Sequence, residues 1–347
     1  MAKKVYSGNH AILEGALEAG LNFYSGYPIT PSSEIMEKAS EVAADSSEFK
    51  FIQAEDEIAA VNALIGASLG GAKAMTATSG PGVSLMTEGL GLAYMARTPL
   101  VLVNVQRVGP STGMPTLPAQ GDVLQAYHGC HGDYQSIVLY PSSVAECYQY
   151  IQEAIYLSLE ARQPVIFLSD AYLGHLRETV DLNQSKVAKR QINTRQPWGN
   201  KQRHVSGLVN DNGTPKTKDT EYYRQYHKQR KQELAEIVKK YQFFKYDNQN
   251  TDSLIISYGI VSQLVKKVHP EISTLTPIRL FPIIKELKQI CSNYKKIIVV
   301  EANDGQYAQI LESFLGYPVE KINFLGGRIG LQELEDGLKK EVSNSSN

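Results

Sequence analysis

Residues 71–84 read Gly-Ala-Lys-Ala-Met-Thr-Ala-Thr-Ser-Gly-Pro-Gly-Val-Ser. A short run of small, apolar and β-branched side chains over Lys73–Ser79 breaks at Gly80-Pro81-Gly82, and a helical stretch follows. That is a buried strand, a tight turn and a helix start. The same grammar recurs on either side of it. Leu21–Ser25, Phe51–Ala54, Leu100–Val105, Ser136–Tyr140 and Pro164–Ser169 are further short strand-like runs. Between them lie amphipathic stretches such as Ser143–Ala161, where Val144, Cys147, Ile151, Ile155 and Leu159 share one face. Strands alternating with helices predict an α/β fold, a parallel sheet with helices on both faces.

The chain has 347 residues, 42% hydrophobic and 20% charged, with a formal net charge of −1. This length suggests two domains and a core that needs no covalent staples. The near-zero charge points to neither nucleic acid nor a membrane surface. No apolar run is long enough to span a bilayer, and the N-terminus lacks the apolar core of a signal peptide, so a cytoplasmic location is expected. The cysteines, Cys130, Cys147 and Cys291, are scattered and odd in number, which reads as reduced thiols. They are too few for a cubane iron–sulfur cluster, which usually takes four thiolates.

Three segments are expected: 1–185 as the main α/β domain, 186–250 as a basic polar linker or subunit-wrapping arm, and 251–335 as a smaller C-terminal α/β domain. Residues 186–240 hold 14 Lys or Arg against 5 Asp or Glu, with a turn at Asn210-Asp211-Asn212-Gly213. In the last segment Leu254–Ser257 and Ile297–Glu301 read as strands, and Ile260–Val268 and Ile283–Ile290 as helices. The tail, 341–347, is expected to fray.

Four junctions carry polar residues where α/β proteins place ligands. Gly26-Tyr27-Pro28-Ile29-Thr30-Pro31-Ser32-Ser33-Glu34 follows a strand. Thr30 before Pro31 suits a helix N-cap, and a substrate site would also use its fixed hydroxyl. Gln53-Ala54-Glu55-Asp56-Glu57 opens a helix lined by Ala59, Ala60, Ala63, Gly66, Ala67 and Gly70. Acids in a first turn suit the helix dipole. A carboxyl in such close packing would also have a raised pKa and could share a proton with a heterocycle. The Gly80-Pro81-Gly82 turn matches no phosphate-loop pattern. Arg107, just past the end of a strand, is placed either to clamp a carboxylate or to form a surface ion pair. His128-Gly129-Cys130-His131-Gly132-Asp133 lacks the spacing of a closed zinc site and reads as a pocket-shaping loop.

Together, Gly26–Ser33, Gln53–Glu57, Gly71–Gly82, Gln106–Gly113 and Ala119–Asp122 resemble the α subunits of 2-oxoacid:ferredoxin oxidoreductases. The likeness is dense over residues 5–182. It is looser through His204–Leu208 and Val299–Gln306. The resemblance implies a thiamine-diphosphate pyrimidine-binding domain followed by a transketolase-C-like domain. It gives Glu57 the role of the acid that hydrogen-bonds the aminopyrimidine, with Tyr27, Pro28, Ile29 and Thr30 also against the cofactor. Thr30 and Arg107 match the residues that bind the substrate's oxo and carboxylate groups.

The combination of Thr78–Gly82, Gly109–Gly113 and Ala119–Asp122 looks closer to the 2-oxoglutarate members than to the pyruvate members. Branched-chain or broad-range 2-oxoacid members are the alternative. The implied reaction is oxidative decarboxylation of 2-oxoglutarate to succinyl-CoA with ferredoxin reduction, or the reverse carboxylation, with coenzyme A as co-substrate. Neither Gly121-Asp122-Val123 nor Gly132-Asp133-Tyr134 completes the Gly-Asp-Gly motif that anchors the diphosphate through Mg²⁺. A β subunit carrying Mg²⁺, the diphosphate site and a [4Fe–4S] cluster is therefore expected, in an (αβ)₂ assembly, with γ and δ subunits as possible additions. Readings of other classes are a non-catalytic thiamine-fold assembly or regulatory subunit and a transketolase-like half-enzyme. Against the family, the stretch between Val268 and Pro277 looks too short for a further strand and turn, and no residue marks itself as holding the distal carboxylate.

Overall fold

The structure is a computed structural model that describes residues 3–192, 208 and 214–343. The expected turn at 210–213, the stretch 204–207 and the tail 344–347 lie outside the described residues.

The chain opens with β1 (Lys4–Ser7), α1 (Gly8–Glu18), β2 (Phe23–Gly26), α2 (Ser33–Asp45), β3 (Lys50–Gln53) and α3 (Glu57–Leu69). It continues through β4 (Ala74–Thr78), α4 (Gly80–Met95), β5 (Leu100–Val108), β6 (Met114–Pro118), α5 (Val123–His128) and β7 (Val138–Leu139). Then come α6 (Val144–Ala161), β8 (Pro164–Asp170), α7 (Ala171–His175), β9 (Arg177–Val180) and α8 (Thr220–Val238). The C-terminal part adds β10 (Phe244–Asp247), β11 (Ser253–Ser257), α9 (Gly259–Val268), β12 (Ser273–Pro277) and β13 (Arg279–Phe281). It ends with α10 (Glu286–Cys291), β14 (Lys296–Glu301), α11 (Gln306–Leu315), β15 (Glu320–Asn323) and α12 (Leu331–Ser343).

The main sheet runs β13-β7-β8-β5-β4-β2-β3, with β6 attached to β5. Its strands from β7 to β3 are parallel. The side-chain period of two explains why it needs cover on both faces. Val101, Val103 and Val105 of β5 enter one core with Ile12, Ile35 and Ile151, while Leu100 and Leu102 enter another with Leu64 and Met86. The inner strands β4, β5 and β8 are buried almost throughout, whereas β3 at the sheet's edge is largely exposed, and the expected α/β architecture is observed.

A second sheet, β10-β12-β11-β14-β15, forms the C-terminal unit. Here the sequence misled in one respect. The stretch between Val268 and Pro277, expected to be too short for another strand, holds β12 inside the sheet, paired to β11 and β10. The turn needed only the four residues from His269 to Ile272, because α9 stops directly against it.

The two units share one core. Leu254, Ile256, Leu280, Phe281 and Tyr307 pack in the same cluster as Leu64, Val83 and Leu102. The C-terminal unit also lends β13 to the main sheet, antiparallel to β7. Within 186–250 the structure builds α8, a 19-residue helix begun by Asp219 accepting from Tyr222 N. Its buried Arg230 stacks on Tyr94 at 5.0 Å and donates to Gln163 Oε1 at 2.9 Å. The positive charges counted there therefore include one that is spent inside the fold. Among the described residues, no helix is long and apolar enough to cross a membrane.

Candidate active site

Because β2, β3, β4 and β5 are parallel neighbours, the segments that follow them emerge at one edge of the sheet. These are Tyr27–Pro31, Ala54–Glu57, Ser79–Gly82 and the end of β5 with Arg107. Most of the polar residues singled out in the sequence thus converge, though they come from four separate segments.

The three acids after β3 take different positions. Glu55 and Asp56 are exposed, and Asp56 is the N-cap of α3, its Oδ1 accepting from Ala59 N at 2.7 Å. Glu57 is the first residue of α3 and only 5% exposed. Among the described residues its carboxyl takes part in no hydrogen bond or ion pair. The chain makes room for it with a glycine. A Cβ on Gly82 would lie 2.6 Å from Glu57 Oε1 and 2.0 Å from Thr78 Oγ1. In β4 and at the start of α4, the buried hydroxyls of Thr76 and Ser79 also lack partners among the described residues. Unmet buried polar groups are costly, so a concentration of them points to a missing ligand. A ring nitrogen facing Glu57 would meet this need, and the residues present fit the aminopyrimidine end of thiamine diphosphate.

The small residues of α3 divide between two surfaces. Ala60 is buried against the chain's own core, whereas Ala59 and Gly66 are exposed. Apolar side chains on neighbouring elements also face outward: Tyr27 (40%), Ile52 (44%), Ile58 (50%), Leu85 (49%) and Tyr127 (41%). The exposed apolar rim is what a second polypeptide would cover.

Thr30 does not cap α2. The helix begins at Ser33 with Ser32 as its N-cap, and Ser32 makes no side-chain cap bond. The reason is a competing turn. The Ser32 amide and hydroxyl both donate to Ile29 O at 2.9 Å, while Asn9 Nδ2 ties down Pro31 O at 3.0 Å. Thr30 is left exposed, its hydroxyl free for another use.

Arg107 is 8% exposed, so the surface-ion-pair alternative is excluded. Its Nη1 donates to Thr30 O at 2.7 Å, joining β5 to the loop after β2. Its Nε is buried without a partner. A guanidinium fixed at one corner with donors to spare can receive a carboxylate.

The sequence motifs Gln106–Gly113 and Ala119–Asp122 include Gln106 and Asp122 but gave neither a role, and Asn104 was missed. Asn104 Nδ2 donates to Asp122 Oδ2 at 2.9 Å, and Asp122 N donates to Gln106 Oε1 at 3.0 Å. Asp122 stands on the opposite side of the glycine turn from Glu57: a Cβ on Gly80 would lie 2.8 Å from its Oδ2. Burial pushes the Asp122 carboxyl above the ordinary aspartate range, while Asn104 and the Arg107 charge pull it back. The polar residues at alternate positions of a buried strand, Asn104 and Gln106, were the available signal. Elsewhere, Cys130 turns its thiol to His131 O at 3.2 Å, and partial burial pushes it up to about 11.

Comparison with known proteins bears on this edge. Residues 14–243 match the sequence profile of the family described as pyruvate flavodoxin/ferredoxin oxidoreductase, thiamine diphosphate-binding. The chain is 38% identical to the 2-oxoglutarate synthase subunit KorA of Archaeoglobus fulgidus, over 99% of this chain and 100% of the relative. It is 34% identical to the ketoisovalerate oxidoreductase subunit VorB of Methanothermobacter thermautotrophicus, over 100% of this chain and 99% of that one. Among solved structures, it superposes on a 2-oxoglutarate:ferredoxin oxidoreductase from Magnetococcus marinus with a TM-score of 0.90 at 28% identity. That structure holds 2-oxoglutarate, coenzyme A and succinyl-CoA. The match covers 98% of this chain but 65% of the other, so the solved protein's chain is about half as long again.

Proposed function

This chain belongs to the pyruvate flavodoxin/ferredoxin oxidoreductase family, with its thiamine-diphosphate-binding domain, and we propose that it is the α subunit of a 2-oxoglutarate:ferredoxin oxidoreductase. The reaction is oxidative decarboxylation of 2-oxoglutarate to succinyl-CoA, or its reverse. The similarity to KorA proteins, over 86–99% of this chain, supports that substrate. Full-length similarity to VorB supports the second reading, a branched-chain 2-oxoacid. The observation that carries the catalytic reading is Glu57: a buried carboxyl, unpartnered among the described residues, at a helix start and against a glycine that leaves it space.

Bound thiamine diphosphate supplies the electron sink for decarboxylation. The chain's residues supply orientation and proton control. The Glu57 carboxyl would hydrogen-bond the pyrimidine ring, in a place where its burial keeps water scarce. Tyr27, Pro28, Ile29 and Thr30 on the neighbouring loop would line the cofactor. The Thr30 hydroxyl and Arg107 guanidinium bind the oxo and carboxylate groups of the 2-oxoacid, an arrangement supported by the bond from Arg107 to the Thr30 carbonyl.

The site needs a partner. The chain lacks a Gly-Asp-Gly diphosphate anchor, and its three cysteines are separated. We assign Mg²⁺, the diphosphate and at least one [4Fe–4S] cluster to a β subunit that covers the exposed apolar rim, in an (αβ)₂ enzyme. Ferredoxin is the electron acceptor. In this reading 1–185 is the pyrimidine-binding domain, 186–250 a basic linker or subunit-wrapping arm, and 251–335 the C-terminal α/β domain. The test is to co-purify the tagged full-length chain from its source cell and identify the bound polypeptides. Viologen reduction is then assayed with 2-oxoglutarate, 2-oxoisovalerate and pyruvate, each with coenzyme A. Dependence on both 2-oxoglutarate and an iron–sulfur partner is expected. Turnover by the isolated chain, or a partner without iron, would reject the assignment.

A further inference from the structure

We propose that the C-terminal α/β unit is a positioning element for the 2-oxoacid site, with Gln120, Asn303 and Gln306 holding Asp122 beside Arg107. The inference rests on reading that edge of the sheet as a 2-oxoacid site, and it gives the second unit a task.

Residues 120–124 are gripped from the C-terminal side. Gln120 N donates to Ala302 O at 3.0 Å and Ala302 N returns a bond to Gln120 Oε1 at 2.9 Å. Gln120 Nε2 reaches Tyr258 O at 2.9 Å, and Asn303 Nδ2 reaches Gln120 O at 2.8 Å. Gln306 then spans the next turn, with Nε2 on Gly121 O at 2.7 Å and Oε1 accepting from Leu124 N at 2.9 Å. The close approach has a visible requirement. Gly259 has φ +55, and a Cβ there would lie 2.8 Å from Gln120 Nε2.

The same residues are held from the opposite side by the main sheet, through Gln106 and Asn104 on Asp122. Asp122 therefore sits where the two units meet, its amide bonded to the side chain of Gln106, the residue next to Arg107 on β5. The C-terminal unit touches the Arg107 strand a second time. A Cβ on Gly327 would lie 2.9 Å from Pro118 O, and Pro118 is the residue paired with Arg107 across β5 and β6.

Adhesion between the units does not require these bonds, because an apolar core already joins them. What a set of directional bonds adds is a fixed position. A clamp for a small carboxylate loses most of its effect when a wall shifts by about 1 Å. Gln120, Asn303 and Gln306 are positioning residues in this sense, acting through Asp122 and the chain around it.

The test uses the full chain in complex with its partner. Gln306→Leu keeps the side chain's bulk and removes both bonds to 121–124. The KM for the 2-oxoacid should rise about tenfold, with kcat reduced less than about twofold and the KM for coenzyme A unchanged. Gln306→Glu keeps the acceptor for Leu124 N and should fall between Leu and wild type. Leu338→Ala, a cavity in the C-terminal core, should lower the thermal midpoint and leave the KM alone. A wild-type KM in Gln306→Leu, or an equal KM rise in Leu338→Ala, overturns the inference. Wild-type activity separates the two levels: a complex that turns over no 2-oxoacid removes the functional reading and this inference together. An active one with an unmoved Gln306→Leu removes this inference alone.

Discussion

Glu57 and Gly82 are a matched pair: the carboxyl of the first occupies the space that any side chain on the second would fill, with Oε1 2.6 Å from the would-be Cβ. The acid and the glycine lie on different helix starts, α3 and α4, so their match is a property of the packed sheet edge.

Replacing the glycine tests the match. Gly82→Ala should cost about 1–3 kcal/mol through overpacking, because the backbone of α4 and Thr78 must both move. It should also weaken thiamine diphosphate binding at least about tenfold, since Glu57 is displaced. Urea denaturation and a cofactor titration of the complex measure the two effects separately.

Glu57→Gln keeps the shape of the side chain and removes its proton chemistry. Loss of a positioned acid–base group costs about 10²–10⁴ in rate, and viologen reduction with 2-oxoglutarate should fall by that amount. The urea midpoint should hold, because no hydrogen bond of the described residues depends on the carboxylate. A variant at full rate would remove Glu57 from the mechanism.

Arg107→Lys retains the charge but loses the planar donor fork and the bond to Thr30 O. A hydrogen bond from a charged group contributes about 1.5–3 kcal/mol, so the KM for the 2-oxoacid should rise about 10- to 100-fold. Steady-state kinetics at saturating coenzyme A give the answer.

A pH effect follows from Asp170, wholly buried at the end of β8. Its Oδ1 accepts from Leu173 N at 2.9 Å and its Oδ2 from Tyr140 OH at 2.8 Å. Burial pushes its carboxyl above the ordinary value of 3.8, and the hydrogen bonds from Leu173 and Tyr140 oppose this only in part. A raised acid favours the protonated folded state, so its stabilising contribution is complete below the ordinary value and lost as pH rises through the folded one. Asp170→Asn removes that loss. Its stability relative to wild type should improve steadily from pH 4 towards neutrality, read as the difference in urea midpoints. A constant difference would show that Asp170 does not titrate in this window.

The order of strands and helices in the main domain could be read locally, because buried parallel strands and amphipathic helices each bear their own period. The strand runs and the helix over 143–161 needed no distant information. So did the ligand-bearing junctions, which a parallel sheet necessarily gathers at one edge. Distance in sequence decided the rest. β13 is too short to announce itself, and it exists because β7 offers an open edge more than a hundred residues earlier. Ser32 displaced Thr30 from the helix start through bonds to Ile29 and the reach of Asn9, none visible in a capping pattern. Asp122 gained its place only when Asn104, Gln106 and the C-terminal unit closed around it. Periodicity and composition determine what each segment becomes, since those forces act over a few residues. Which polar atoms finally meet depends on packing between segments far apart, and that the tertiary structure alone decides.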